Sequence, residues 1–142
     1  MKLTKKQAAE ELARRSFGNF ARWIDPSVRM TRFHRRYYEL LHDFACGKIK
    51  RLIVSMPPQH GKSLGASVLL PAYLLGCDPN LRVVLASYNL RLASRFNRRV
   101  QRLMSGAAYK GVFPGSRLKT GNRSRALRTS DEFEIEGYAG GM

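Results

Sequence analysis

The chain has 142 residues, of which 44% are hydrophobic, and 26 basic against 10 acidic side chains give it a formal net charge of +16. The apolar content is sufficient for one core and excludes a disordered tail, and the length excludes a motor domain joined to a second catalytic domain. A surface this basic attracts polyanions such as nucleic acid, nucleotides or acidic lipids.

Two helices are predicted before the first apolar run. Thr4 followed by Gln7 has the pattern of a capping box, which predicts a helix from about Lys5 to Ile24. Thr31 can cap a second helix, which ends near Gly47. One face of that second helix is apolar, with Phe33, Tyr37, Leu40, Leu41 and Phe44 at helical spacing. Residues 1–48 are therefore predicted to form a helical lead-in.

Two short apolar runs predict buried strands at residues 51–56 and 82–87. They lie about 30 residues apart, which is the spacing of a βαβ unit with parallel strands. Between them, Pro57-Pro58 ends the first strand, and a helix from about Gly61 to Leu75 should be kinked by Pro71. This stretch has too few uninterrupted apolar residues to cross a membrane.

The rest of the chain is predicted to add one basic helix and a pair of strands. Asn89 can cap a helix that reaches about Met104 and carries arginines on one side. A basic loop follows, and then short strands at 126–129 and 133–136 that could form a hairpin. The expected fold of residues 49–142 is α/β, a mostly parallel sheet flanked by helices and truncated on its C-terminal side.

The segment between the first strand and the following helix resembles a phosphate-binding loop. Gly61-Lys62-Ser63 matches the second half of the Walker A pattern, whereas Met56 stands where that pattern opens with Gly. Gly61 lets the backbone approach a phosphate, Lys62 can neutralise the β- and γ-phosphates, and the Ser63 hydroxyl can ligate Mg²⁺. The alternative is an ordinary strand-to-helix turn. His60 is expected to shape the loop or face solvent rather than act as a base.

Several segments together resemble the large terminase subunit of tailed bacteriophages, the ATPase that packages DNA into procapsids. The matching segments are Phe33-His34-Arg35-Arg36-Tyr37-Tyr38, Pro57-Pro58-Gln59-His60-Gly61-Lys62-Ser63, Leu85-Ala86-Ser87-Tyr88-Asn89 and Val112-Phe113-Pro114. They lie between residues 33 and 114 of the chain. The terminase loop lacks the first Walker Gly, so Met56 is consistent with this family.

The resemblance implies ATP and Mg²⁺ as cofactors and a set of residues that bind them. Lys62 would be catalytic, Ser63 would hold Mg²⁺, and Gln59 would either contact the γ-phosphate or brace the loop. Phe33 and Tyr37 would lie beside the adenine, or else belong to the helix core. The implied nucleotide-binding residues are Phe33, Tyr37, Pro58, Gln59, His60, Gly61, Lys62, Ser63 and Leu64.

The chain also departs from the family pattern. Many relatives carry Arg where this chain has Gln59, and no apolar strand here ends in the acidic pair that holds Mg²⁺ and positions water. Between Asp43 and Asp131 the sole acidic residue is Asp78, beside Pro79 in a turn. The nuclease domain of a terminase is absent as well. The chain is therefore interpreted as the N-terminal piece of a terminase-type ATPase domain that is slow or inactive alone.

Arginines on one side of the fourth predicted helix, which Asn89 caps, suggest a partner for the chain. They are Arg91, Arg95, Arg98, Arg99 and Arg102. Such a row can hold a phosphate backbone without reading sequence, but it could also contact neighbouring subunits or simply be solvated. By resemblance the partners are double-stranded DNA, the portal protein, the small terminase subunit and copies of the chain in a ring, in the cytoplasm of the bacterial host. The alternative function is a non-enzymatic basic module that binds nucleic acid or a protein.

Overall fold

The computed structural model describes residues 4–120 and 128–142, which are mostly helical. The helices are α1 (Lys5–Arg15), α2 (Phe17–Ile24), α3 (Arg32–Ala45), α4 (Lys62–Leu64), α5 (Leu70–Cys77), α6 (Leu90–Ser105) and α7 (Ala107–Val112). A π-turn at Gly65–Leu69 joins α4 directly to α5. None of the helices within the described ranges is long and apolar enough to cross a membrane.

Side-chain caps set where the helices begin. Thr4 forms the predicted capping box with Gln7, and Thr31 and Asn89 accept hydrogen bonds from the first turns of α3 and α6, as predicted. The single helix predicted from Lys5 to Ile24 is wrong, because the chain is extended at Ser16, where the Ser16 hydroxyl caps α2. The lead-in therefore contains three helices rather than two.

The predicted α/β fold, a P-loop NTPase-type, mostly parallel sheet flanked by helices, is wrong. Neither residues 51–56 nor residues 82–87 form a strand, and β-pairing in the described part of the chain is confined to isolated bridges. Burial alternates along both runs, so that Ile53 is 98% exposed and Val84 is 91% exposed. A buried strand needs a neighbour on each edge and cover on both faces, and these two runs pack only one face against the core.

The last described residues make the longest-range backbone pairings. Gly141 bridges Arg82 in parallel and Glu134 in antiparallel orientation. The predicted hairpin of 126–129 and 133–136 is reduced to one bridge, Arg128 to Phe133, and residues 126 and 127 lie outside the described ranges. The C-terminal segment therefore pairs with Arg82, the first residue of the 82–87 run, and does not form part of a sheet.

The core is helical and centres on an aromatic cluster. The rings of Phe20 and Phe113 are 5.8 Å apart, and each also lies within 5.2–6.2 Å of the Tyr73 and Tyr109 rings, in tilted or edge-on geometry. Offset and edge-on packing is the favourable arrangement for aromatic rings. These rings come from α2, α5, α7 and the residue after α7, so the lead-in shares one core with the segment that follows the candidate loop.

Pro71 lies in the second position of α5 and directly after the π-turn. In the turn the backbone N–H of Leu70 donates to the carbonyl of Gly65, five residues earlier. Pro has no N–H to donate and its ring crowds the preceding helical turn. The sequence predicts a kink at Pro71, and what the structure has is one widened turn, Gly65–Leu69, immediately before α5.

Candidate functional site

The loop at residues 57–61 combines two unusual backbone conformations with an uncapped helix start. Gln59 has φ 62° and Gly61 has φ 78°, both in the left-handed region. Gln59 is the one non-glycine residue with positive φ in the described part of the chain, and such a conformation costs free energy in a non-glycine residue. The backbone therefore curls tightly just before α4 begins at Lys62.

The first turn of α4 presents its functional groups to solvent. Gly61 is the N-cap and supplies no side-chain acceptor for the backbone N–H groups of that turn. Lys62 and Ser63 are both exposed, whereas Leu64 packs against the core. The helix continues from these residues through the π-turn into α5 without a break. Free amide groups, an ammonium and a hydroxyl at a helix start suit an anion.

Tyr37 ties α3 to this helix start. Its hydroxyl donates to the Lys62 carbonyl over 2.8 Å, and its side chain is only 4% exposed. A Cβ atom added at Gly65 would lie 2.6 Å from Cε1 of Tyr37, so only glycine leaves room for the ring. Burial raises the pKa of the Tyr37 phenol well above its usual range, and the hydroxyl stays a neutral donor. Tyr37 thus fixes the position of the Lys62 backbone.

Phe33 and His60 form the aromatic border of the loop. Their ring centroids are 6.0 Å apart in an edge-on arrangement, and Phe33 is 44% exposed. The His60 Nδ1–H donates to the carbonyl of Pro58 over 2.7 Å, which holds the imidazole against its own loop. This contact agrees with the prediction that His60 shapes the loop.

The structure brings together most residues predicted for the nucleotide site. Phe33, His60, Lys62 and Ser63 lie on or beside the exposed surface of the loop. Tyr37 does not, because its side chain lies in the core, which agrees with the second of the two alternatives given for it. Pro58 and Gln59 are exposed on the loop.

The site is electrostatically positive. Lys62 takes part in none of the ion pairs found among the described residues, which all lie elsewhere. No group of three or more His, Cys, Asp or Glu side chains in residues 4–120 and 128–142 could hold a metal ion. Ser63 is the residue of this loop that offers a hydroxyl ligand, and the remaining ligands of a Mg²⁺ ion there would be phosphate oxygens and water.

A second functional surface lies on α6. Its predicted basic side chains are all exposed: Arg91, Arg95, Arg98, Arg99 and Arg102. The opposite side is buried and includes Val100 and Met104. Five like charges on one 16-residue helix repel one another at low ionic strength, and a polyanion along the helix would relieve that repulsion.

Sequence reasoning missed the polar ladder that fixes α6. Ser94 donates to the Asp131 carboxylate, Asn97 Nδ2 donates to the Asp131 carbonyl over 3.1 Å, and Gln101 Nε2 donates to the Thr129 carbonyl over 2.6 Å. All three side chains are buried. Their spacing along one helical face was visible in the sequence, whereas their partners Thr129 and Asp131 lie 28 to 37 positions away and have no such local signal.

Comparisons of the chain with protein-family models, with curated proteins and with solved structures found no match.

Proposed function

We propose that this chain binds the triphosphate of ATP at the loop of residues 57–63 and works as an ATPase module of a DNA-packaging motor of the terminase type. The observation that carries the proposal is the start of α4. There a left-handed glycine leads into a helix whose first two side chains are an exposed lysine and an exposed serine.

Each residue of the loop has a defined part in this proposal. The Lys62 ammonium neutralises phosphate charge as a point charge with three donors. The Ser63 hydroxyl would hold Mg²⁺, which would neutralise phosphate charge when bound. The N–H groups of the first helical turn donate to phosphate oxygens. The exposed ring of Phe33 offers a surface for the base at the edge of the loop.

The family resemblance extends the proposal from nucleotide binding to DNA packaging. The basic face of α6 supports a duplex DNA partner, since its arginines can contact phosphates without reading bases. The portal protein, the small terminase subunit and further copies of the chain are proposed partners on the resemblance alone.

The test compares Lys62→Ala with Lys110→Ala. Both lysines are exposed and outside the ion pairs of the described residues, and Lys110 lies on α7. Isothermal titration with Mg²⁺ and a non-hydrolysable ATP analogue measures the affinity. Loss of a charged hydrogen-bond partner costs about 1.5–3 kcal/mol, so Lys62→Ala should weaken binding by about 10- to 100-fold. Equal affinities of the two variants would refute the site.

A non-enzymatic basic module is the second candidate, and the exposed arginine row of α6 is the observation that favours it. This candidate predicts binding of duplex DNA with a steep dependence on salt. Neither ATP nor Lys62→Ala should change that binding, whereas replacement of Arg95 and Arg102 by Gln should weaken it and lower the salt dependence. DNA binding without any nucleotide binding would favour this candidate over the first.

A further inference from the structure

A separate basic cleft lies between α2 and α3. Its volume is about 430 Å³, and Gly18, Arg22, Arg35 and Arg36 are among its lining residues. Clefts that bind small molecules usually enclose about 300–1,000 Å³. None of its lining residues belongs to the loop at 57–63, so the cleft is independent of the site proposed above.

The charges of the cleft are only partly balanced. Two carboxylates also line it, but Glu39 lies 3.7 Å from Arg36 and Asp43 lies 3.1 Å from Lys48. Arg22 and Arg35 have no carboxylate within 4.0 Å among the described residues. Residues 1–3 and 121–127 contain no acidic side chain that could supply one.

A guanidinium without a carboxylate partner favours an oxyanion. Arginine stays charged at every working pH and presents its N–H donors as a planar fork that matches phosphate oxygens. Two such forks, one from α2 and one from α3, border the same cleft. Gly18 lies in the first turn of α2 and lines the cleft without a side chain. The neighbouring N–H groups of Phe17 and Asn19 already donate to His42 and Ser16, so the two arginines carry the attraction for an anion.

Apolar surface also lines the cleft. Met30 and Tyr38 line it together with the arginines, and Tyr38 is buried. The Tyr38 ring packs edge-on against Phe17 at 5.5 Å, which keeps it in place. Met30 and Tyr38 therefore add apolar surface beside the guanidinium groups, where the organic part of a phosphate-bearing ligand can pack.

We infer that the α2–α3 cleft is a second anion site, which binds a phosphate group through Arg22 and Arg35. The phosphate belongs either to a small organic phosphate or to a nucleic acid backbone, since both present the same oxygens to the two guanidinium groups. The inference does not depend on nucleotide binding at Lys62.

The test uses inorganic pyrophosphate as the probe and the Lys62→Ala chain as the background, so that binding at the loop does not contribute. Arg22→Gln and Arg35→Gln are compared with Arg29→Gln, which removes the same charge from an exposed residue that does not line the cleft. Each cleft variant should weaken pyrophosphate binding by about tenfold or more, and Arg29→Gln by less than about twofold. Circular dichroism confirms that each variant is folded.

Three results would overturn the inference: no binding of pyrophosphate in the Lys62→Ala background, an equal loss in Arg29→Gln, or no loss in the two cleft variants. Arg35→Lys adds a second check, because it keeps the charge but loses the fork and should bind pyrophosphate more weakly than the unaltered cleft. Competition with a short DNA duplex then identifies the source of the phosphate. Displacement of pyrophosphate indicates nucleic acid, and retention indicates a small organic phosphate.

Discussion

Replacement of Tyr37 by Phe tests whether α3 positions the helix start at Lys62. The change removes one partly buried hydrogen bond of 2.8 Å to the Lys62 carbonyl and leaves the ring in place. A hydrogen bond of this kind contributes about 1 kcal/mol, so the melting temperature should fall by a few degrees. Tyr73→Phe is a matched control, because its hydroxyl donates to the Arg14 carbonyl over 3.0 Å, away from the loop.

The two variants should cost similar stability but differ in binding. If Tyr37 positions Lys62, Tyr37→Phe weakens binding of the ATP analogue by a few-fold, and Tyr73→Phe leaves the affinity unchanged. Isothermal titration measures the affinity, and urea unfolding measures the stability. Equal affinities for the two variants would contradict a positioning role for Tyr37.

Gly65→Ala extends the same test through a double-mutant cycle. The added Cβ would lie 2.6 Å from Cε1 and 2.9 Å from the hydroxyl oxygen of Tyr37, so the ring must move. Overpacking of this kind costs about 1–3 kcal/mol. Because the displaced ring has already lost its hydrogen bond, Tyr37→Phe should cost less in the Gly65→Ala background, by about 0.5–1 kcal/mol. Strictly additive costs would refute the proposed coupling of these two residues.

Two further predictions concern the core. Burial raises the phenol pKa above its ordinary value of 10.0 in Tyr37, Tyr73 and Tyr109. The folded state therefore keeps these protons when the unfolded state releases them, and the free energy of unfolding should fall as pH rises above about 10. Urea unfolding at about pH 8 and pH 11 measures how much the free energy of unfolding falls between these two values. In Tyr73→Phe this fall should be smaller, because one of the three phenols is gone. An equal fall in the variant would contradict this explanation. Gly76→Ala should destabilise the chain by about 1–3 kcal/mol, because its Cβ would lie 2.6 Å from Cε2 of Phe113. Gly115→Ala is the control, since the nearest atom to its Cβ is 3.9 Å away, and equal melting temperatures of these two variants would contradict the packing argument.

Local signals in the sequence predicted the helices well. The caps at Thr4, Thr31 and Asn89 depend on residues only three positions apart, so nothing distant could alter them. The loop conformation at Gly61 and the exposure of Lys62 and Ser63 follow from an equally local pattern. Ser16 is the exception, because a serine within an amphipathic stretch does not show by itself that it will cap a new helix.

The strands could not be predicted, because a strand depends on partners far away in the chain. The apolar runs at 51–56 and 82–87 have the composition of buried strands, but β-propensity mainly measures how well a residue fits a paired surface. Ile53 and Val84 meet no such surface among the described residues. The sequence also left open whether Tyr37 lies in the core or beside a ligand, since a tyrosine on an apolar helix face is found in both settings. The close approach of its ring to Gly65, which lies 28 positions later in the chain, places Tyr37 in the core.

The π-turn at Gly65–Leu69 allows one continuous helix to meet two separate requirements. Its N-terminal end exposes Lys62 and Ser63 to solvent, whereas its C-terminal part buries Ala72 and Leu75. In a regular α-helix each residue advances by about 100° around the axis, so the two ends have a fixed angular relation. The wide turn changes that relation by accommodating an additional residue. Shortening the turn by one residue would force either the lysine inward or the core residues outward, and the length of this segment is therefore under tighter constraint than its composition.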